Sequence, residues 1–255
     1  MHLNIYWLSV LSPLVIAFLL FAKFNFREFK PFSYYHTAVI IISVVVFGYF
    51  GSRIGHVIQY NMLFKHNVNS VSSFIHSFFY DAGYKLPIGY LFSFLTLIAV
   101  NVYFDENNDY LRALDKFALF ASFVSIFGNL GCFFDGHHGC RGTETSLPWG
   151  CYYTFTKLPS TIPLHPMQLY SVFLMTIIFL WMLFSKQRKY GEKFIISLLI
   201  VDTYNFFIDP IRERFTLFYN ISFCQIIYFL NILVLLFIYF RFVKSNKIID
   251  RQNKT

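Results

Sequence analysis

Seven apolar runs, each close to the length that crosses a bilayer, constrain this chain more than any other feature. They occupy residues 5–23, 37–60, 86–104, 113–133, 167–185, 193–209 and 217–241. A hydrocarbon core about 30 Å thick takes about 20 apolar residues in helical form, because lipid offers no partner to a backbone N–H or C=O. The runs predict an all-α polytopic membrane protein with seven transmembrane helices. Runs two and seven are long enough to tilt or to pass the membrane surface. A further run, 70–80, is too short to cross and reads as an interfacial or re-entrant piece. No internal repeat or low-complexity segment interrupts the pattern, so residues 1–255 are read as one domain.

Composition agrees. The chain is 56% hydrophobic and 13% charged, against about 25% charged for a soluble domain. The net charge of +8 does not point to nucleic acid, since no basic block with interleaved aromatics stands in a soluble segment. The first ten residues, MHLNIYWLSV, have no basic start and no small-residue cleavage pattern, so the first run is read as a retained span. Four cysteines are too few for a disulfide scaffold.

The basic residues sort to one side. Fourteen of the 21 fall after run one, before run four, between runs five and six, and after run seven. Lysine and arginine collect on the cytoplasmic face of membrane proteins. This places the N-terminus outside, the C-terminus in the cytoplasm, and the long loop 134–166 on the extracytoplasmic side.

Polar side chains inside spans are costly and mark sites. In FGYFGSRIGHVIQYN (47–61), Arg53, His56 and Tyr60 recur on one helical face. Glycines 48, 51 and 55 allow a close helix neighbour. Arg53 either reaches out of the helix end to water or serves a polar site. In LLIVDTYNFFIDPIRER (198–214), Asp202, Asn205 and Asp209 share a face, and Pro210 interrupts the helix. These are either an internal ion pair, Asp202 with Arg53, or the wall of a polar cavity open to the outer leaflet. Together with Arg53 the two aspartates also fit the relay of a small-solute or ion transporter, although the inner halves of the spans are almost purely apolar.

The loop carries GCFFDGHHGCRGTETSLPWG (131–150). Cys132, His137, His138 and Cys140 are residue types that suit zinc, but the spacing matches no tetrahedral pattern. A Cys140–Cys151 disulfide is an alternative in an oxidising compartment, while Cys224 reads as packing. The loop glycines expose backbone N–H groups that form anion-binding concavities, and Arg141 adds a cation suited to phosphate. A lipid phosphate is the anion that such a loop would meet.

Three blocks resemble the prolipoprotein diacylglyceryl transferase family. They are GSRIGHVIQYN (51–61), GNLGCFFDGHHGCRGTETSLPWGCYYT (128–154) and PLHPMQLYSVF (163–173). Their order and spacing match, and LPWG combined with HPMQLY is specific. The resemblance implies a bacterial inner (cytoplasmic) membrane enzyme. Such an enzyme transfers a diacylglyceryl group from phosphatidylglycerol to the lipobox cysteine of a preprolipoprotein, releasing glycerol 1-phosphate. It needs no metal or soluble cofactor. The resemblance also implies that Arg53, Asn129, Arg141 and Arg212 line the phosphate site and that His137 or His138 moves the proton. Tyr60, Tyr80, His165, Gln168, Tyr170, Asn205 and Asp209 complete the substrate contacts or hold the loop against span five. Asn129 and Asn205 stand where the family pattern has arginine, and Tyr80-Asp81-Ala82-Gly83 replaces a glycine-pair turn. A non-catalytic, lipid-binding relative is the alternative that these departures favour.

Overall fold

The computed structural model describes residues 16, 34–64, 71–80, 86–104, 110–135, 141–153, 159–186, 189–212 and 221–252. The helices are α1 (Tyr34–Phe64), α2 (Val71–Tyr80), α3 (Leu86–Phe104), α4 (Tyr110–Asp135), α5 (Met167–Phe184), α6 (Glu192–Ile208) and α7 (Phe223–Gln252). No β-strand occurs among the described residues, only isolated bridges in the loop. Four described helical segments are long and apolar enough to cross a membrane: Leu114–Phe134, Met167–Phe184, Glu192–Ile211 and Phe223–Arg241. The described apolar part of α1 runs over Ile42–Ile58. The expected first span lies outside the described residues except Ile16.

Two expected boundaries move. The seventh run was expected from 217, but α7 begins at Phe223 because Ser222 caps it. The Ser222 hydroxyl accepts the Gln225 N–H at 3.0 Å and the Gln225 side chain accepts the Ser222 N–H at 2.9 Å. This reciprocal pair satisfies two donors that a helix start leaves open. At its other end α7 continues past 241 to Gln252, since lysine and arginine are good helix formers and favour the negative helix terminus.

The chain divides into two compact units. In the unit that holds α1–α3, α1 lies close against α3. A Cβ on Gly51 would stand 2.6 Å from Phe92, and one on Gly48 would stand 2.2 Å from the Ser93 hydroxyl oxygen. Close approach of this kind is how small residues hold membrane helices together. Here the glycines act as the sequence anticipated.

The other unit holds α4–α7 and the loop 141–165. Its helix ends are satisfied by side chains from elsewhere in the chain. Asp115 of α4 is buried and accepts the Gly191 and Phe194 N–H groups, both at 2.8 Å. Its carboxylate thereby caps the positive end of α6. Lys193 donates to the Met182 and Ser185 carbonyls at 2.8 and 2.7 Å, which covers the negative end of α5. Asp115→Ala orphans two N–H groups at once. It is expected to cost about 2–4 kcal/mol of stability, read as a lower midpoint of thermal unfolding in detergent. Asp115→Asn, which keeps an acceptor, is expected to lose less.

Candidate functional site

The loop after α4 folds back through backbone hydrogen bonds. Gly142 donates to the His165 carbonyl at 3.0 Å, and His165 donates to the Thr143 carbonyl at 3.0 Å. Thr145 donates to Pro163 at 3.0 Å, and Cys151 and Leu164 exchange a pair at 2.9 and 3.1 Å. Thr143 also donates to Ile211 at 2.8 Å, and Gly142 is bridged antiparallel to Arg212. The chain around Arg141 therefore lies beside both the start of α5 and the end of α6. Gly142 is required at the crossing, because a Cβ there would meet the His165 Cβ at 2.4 Å.

Arg141 is 3% exposed, and its guanidinium sits 4.5 Å from the centroid of the Tyr153 ring. Tyr153 is fully buried and donates its hydroxyl proton to Gln168 Oε1 at 2.8 Å. Gln168 is buried in the first turn of α5, and its Nε2 finds no hydrogen-bond partner among the described residues. A buried amide donor left open beside a buried cation is a ready contact for an anion. Burial pushes the Tyr153 phenol well above its ordinary range, with Cys151 adding to the shift and Arg141 opposing it. The phenol is therefore a neutral donor.

A second chain of contacts runs along the outside of α5. Trp149 donates its indole N–H to the Tyr170 hydroxyl at 2.7 Å, and that hydroxyl lies 3.2 Å from His165 Nδ1. An indole nitrogen only donates. Tyr170 therefore accepts from Trp149, and the direction of its contact with His165 follows the His165 tautomer.

Arg212 donates to Asn205 Oδ1 at 3.0 Å, and Asn205 Nδ2 returns to the Val201 carbonyl at 2.9 Å. Asn205 thus braces an arginine. Pro210 ends α6 as expected, in a 3-10 turn over Asp209–Ile211. Asp209 is buried and accepts the Ser222 hydroxyl, which fastens this turn to the cap of α7. Asp202 shares a side-chain hydrogen bond with Asn231. Asn129 directs its amide to the Ser125 carbonyl one turn back, at 2.8 Å.

In the other unit, Arg53 is 2% exposed and so does not reach out to water as one reading expected. Its Nε donates to the Phe78 carbonyl at 2.7 Å and its Nη2 donates to the same oxygen. The guanidinium also lies 5.8 Å from the Phe78 ring centroid. A cation on the last-turn carbonyl of α2 complements that helix's negative end. The run 70–80 is thereby a docked helix whose end is held from α1. His56 is half-buried on the same helix. The side chains of Tyr60 and Tyr80, and all of His137, His138, Cys140 and Arg214, lie outside the described residues.

Cys151 carries a free thiol, so no Cys140–Cys151 disulfide pins the loop. Burial raises its pKa, and Arg141 partly offsets the rise. Since the thiolate is the reactive form, the alkylation rate of Cys151 is expected to climb only above the ordinary thiol range. Arg141→Gln keeps most of the bulk but removes the cation, so its profile is expected to move further alkaline. Mass spectrometry of the alkylated peptide against pH reads both. Among the described residues, no three His, Cys, Asp or Glu side chains gather to hold a metal.

A family model described as prolipoprotein diacylglyceryl transferase matches residues 1–241. The chain belongs to the prolipoprotein diacylglyceryl transferase family. A curated protein of Clostridium tetani, named phosphatidylglycerol--prolipoprotein diacylglyceryl transferase, is 36% identical to it over 108 residues. That alignment spans 40% of this chain and 42% of the relative's length. Family membership and the membrane-length helices make the chain a multi-pass protein of the bacterial inner membrane.

The residues that sequence reasoning missed in this family member are Tyr153, Trp149, Asp115 and Ser222. Tyr153 carried a weak signal, as an aromatic two positions beyond a candidate loop cysteine. Asp115 carried a stronger one, a carboxylate inside the fourth apolar run.

Proposed function

We propose that this protein is a phosphatidylglycerol–prolipoprotein diacylglyceryl transferase, acting on the lipobox cysteine of a preprolipoprotein at the outer face of the inner membrane. The single observation that carries the proposal is Arg141: a buried cation, set over the Tyr153 ring, in a loop that is bridged to Arg212 and lies within the residues that the family model matches. The Clostridium tetani relative's name specifies the same donor and acceptor. Seven spans, an outside N-terminus, a cytoplasmic C-terminus and a single functional domain over residues 1–255 are part of this proposal. The asymmetry of the lysines and arginines supports the orientation.

In the reaction, the lipobox sulfur attacks the glyceryl carbon that bears the phosphate. A C–S bond forms, the C–O bond to phosphate breaks, and glycerol 1-phosphate departs with the electron pair. The thiol gives its proton to a base, for which His137 or His138 is proposed. Arg141 and Arg212 are assigned to the phosphate oxygens, where developing charge is stabilised by fixed donors. Gln168 Nε2 supplies a further neutral donor. Asn205 acts through Arg212, and Asp209 through the turn that carries it. Asn129, bonded to its own helix, supports a lesser role than the arginine of the family pattern. His165 and Tyr170 hold the loop against α5. Arg53, bound to Phe78, supports the α2 helix, with Tyr60 and Tyr80 kept as lipid contacts.

The test uses the purified chain in phosphatidylglycerol micelles with a lipobox peptide, and follows the thioether-linked diacylglyceryl peptide by mass spectrometry. Product that vanishes in Arg141→Ala supports the transferase. A folded, lipid-binding preparation that makes no product assigns the chain to the non-catalytic relatives instead.

A further inference from the structure

The turn Leu147–Gly150 carries an exposed aromatic that the transfer chemistry does not use. Gly150 donates to the Leu147 carbonyl at 2.9 Å, and the Thr145 hydroxyl accepts the Leu147 N–H at 3.2 Å. The turn is thus fixed, with Leu147 and Trp149 facing outward. Trp149 is 56% exposed, yet its one polar atom is bonded inward to Tyr170. What it presents outward is apolar surface alone.

Tyr170 lies in the first turn of α5. Below it Phe173, Ile177, Leu180 and Phe184 follow at steps of three or four residues, all exposed, with Phe173 at 71%. This is one continuous apolar face of a helix. The 18 residues of α5 span about 27 Å, close to the hydrocarbon thickness of about 30 Å. Its first turn therefore falls where acyl chains meet headgroups, and Trp149 extends the same lipid-facing stripe outward.

We propose that the Leu147–Gly150 turn is a membrane-interface anchor. Leu147 and the Trp149 ring enter the lipid at the headgroup boundary, and Tyr170 holds the indole in register. Continuity with the exposed stripe of α5 commits the surface to lipid rather than to a protein partner. Tryptophan is enriched at this depth because it pairs an apolar ring with one polar atom. The anchor is joined to Arg141 through the Thr145–Pro163 and Gly142–His165 backbone bonds, so it sets the depth of that arginine. This goes beyond the proposed reaction and does not depend on it.

The chain has three tryptophans. Trp7→Phe with Trp181→Phe leaves Trp149 as the only emitter. The full chain is reconstituted in phosphatidylglycerol vesicles whose acyl chains are brominated near the headgroup or near the terminal methyl. The anchor predicts loss of most of the emission with shallow bromines, little loss with deep ones, and little quenching by aqueous iodide. Strong iodide quenching with no bromine effect overturns it, since the indole is then in water. Quenching by neither also overturns it, since protein then covers the turn. The difference between the wild-type chain and Trp149→Phe in the same vesicles gives the depth without altering the other tryptophans. Tyr170→Phe, which orphans the indole N–H, is expected to red-shift the emission and weaken shallow quenching.

Discussion

Arg141→Ala is expected to lower diacylglyceryl transfer by about 100-fold or more, the loss that follows when one donor to developing charge is removed from a water-poor site. The size follows from its surroundings. The guanidinium is almost wholly buried and sits over the Tyr153 ring, 4.5 Å from its centroid, so its position is set before the lipid arrives. A preorganised cation does not reorganise as charge develops on the leaving phosphate. Arg141→Lys keeps the charge but loses the planar fork and the stacking, and is expected to fall by about 10-fold. Tyr153→Phe keeps the ring under the guanidinium and removes the bond to Gln168, so it should retain more activity than either. Rates of thioether formation measured at saturating and limiting phosphatidylglycerol rank the three. Equal rates in Arg141→Ala and the wild type would remove Arg141 from the chemistry.

The all-helical class and the membrane-length helices among the described residues were legible because lipid imposes a single coarse rule. Runs 86–104 and 167–185 reappear almost residue for residue as α3 and α5. Pro210 announced the end of α6, and the three glycines of α1 announced its close neighbour. The helix start at Phe223 was not read, because the apolar run from 217 hid its local signal, Ser222 followed three residues later by Gln225. What sequence pattern did not carry is how side chains reach across the chain. Asp115 binds Gly191, 76 residues later at the cap of α6, and Arg53 reaches 25 residues to Phe78. No periodicity encodes such partners. The same limit applies to Tyr153, whose importance lies in joining Arg141 to Gln168. Each of those two was marked as a candidate, and their connection was not. Asn205 shows the converse. Judged by charge alone it is a lost arginine, yet its carbonyl oxygen holds Arg212 at 3.0 Å.

Gly142→Ala is expected to cost nearly as much transfer as a removed charge, although it alters no functional group. The added Cβ would stand 2.4 Å from the His165 Cβ and 3.0 Å from the His165 carbonyl oxygen. Neither is the far end of a flexible side chain, so the backbone has to shift. The Gly142–His165 bond, the neighbouring Thr143–Ile211 bond and the bridge to Arg212 all lie at that crossing. Their strain is expected to destabilise the loop by about 1–3 kcal/mol. Arg141 precedes Gly142 directly, and a displacement of about 1 Å at a positioning element can lower a rate by about 100-fold. Gly150→Ala serves as the comparison. Its Cβ would stand 2.9 Å from the Pro163 Cβ, but it sits beyond the crossing, in the turn rather than beside Arg141. It is expected to lower the unfolding midpoint while keeping most of the transfer rate. Thermal unfolding and thioether formation, measured on both variants, separate register from stability. If Gly142→Ala folds like Gly150→Ala and also transfers at its rate, the bridged loop is not what positions Arg141.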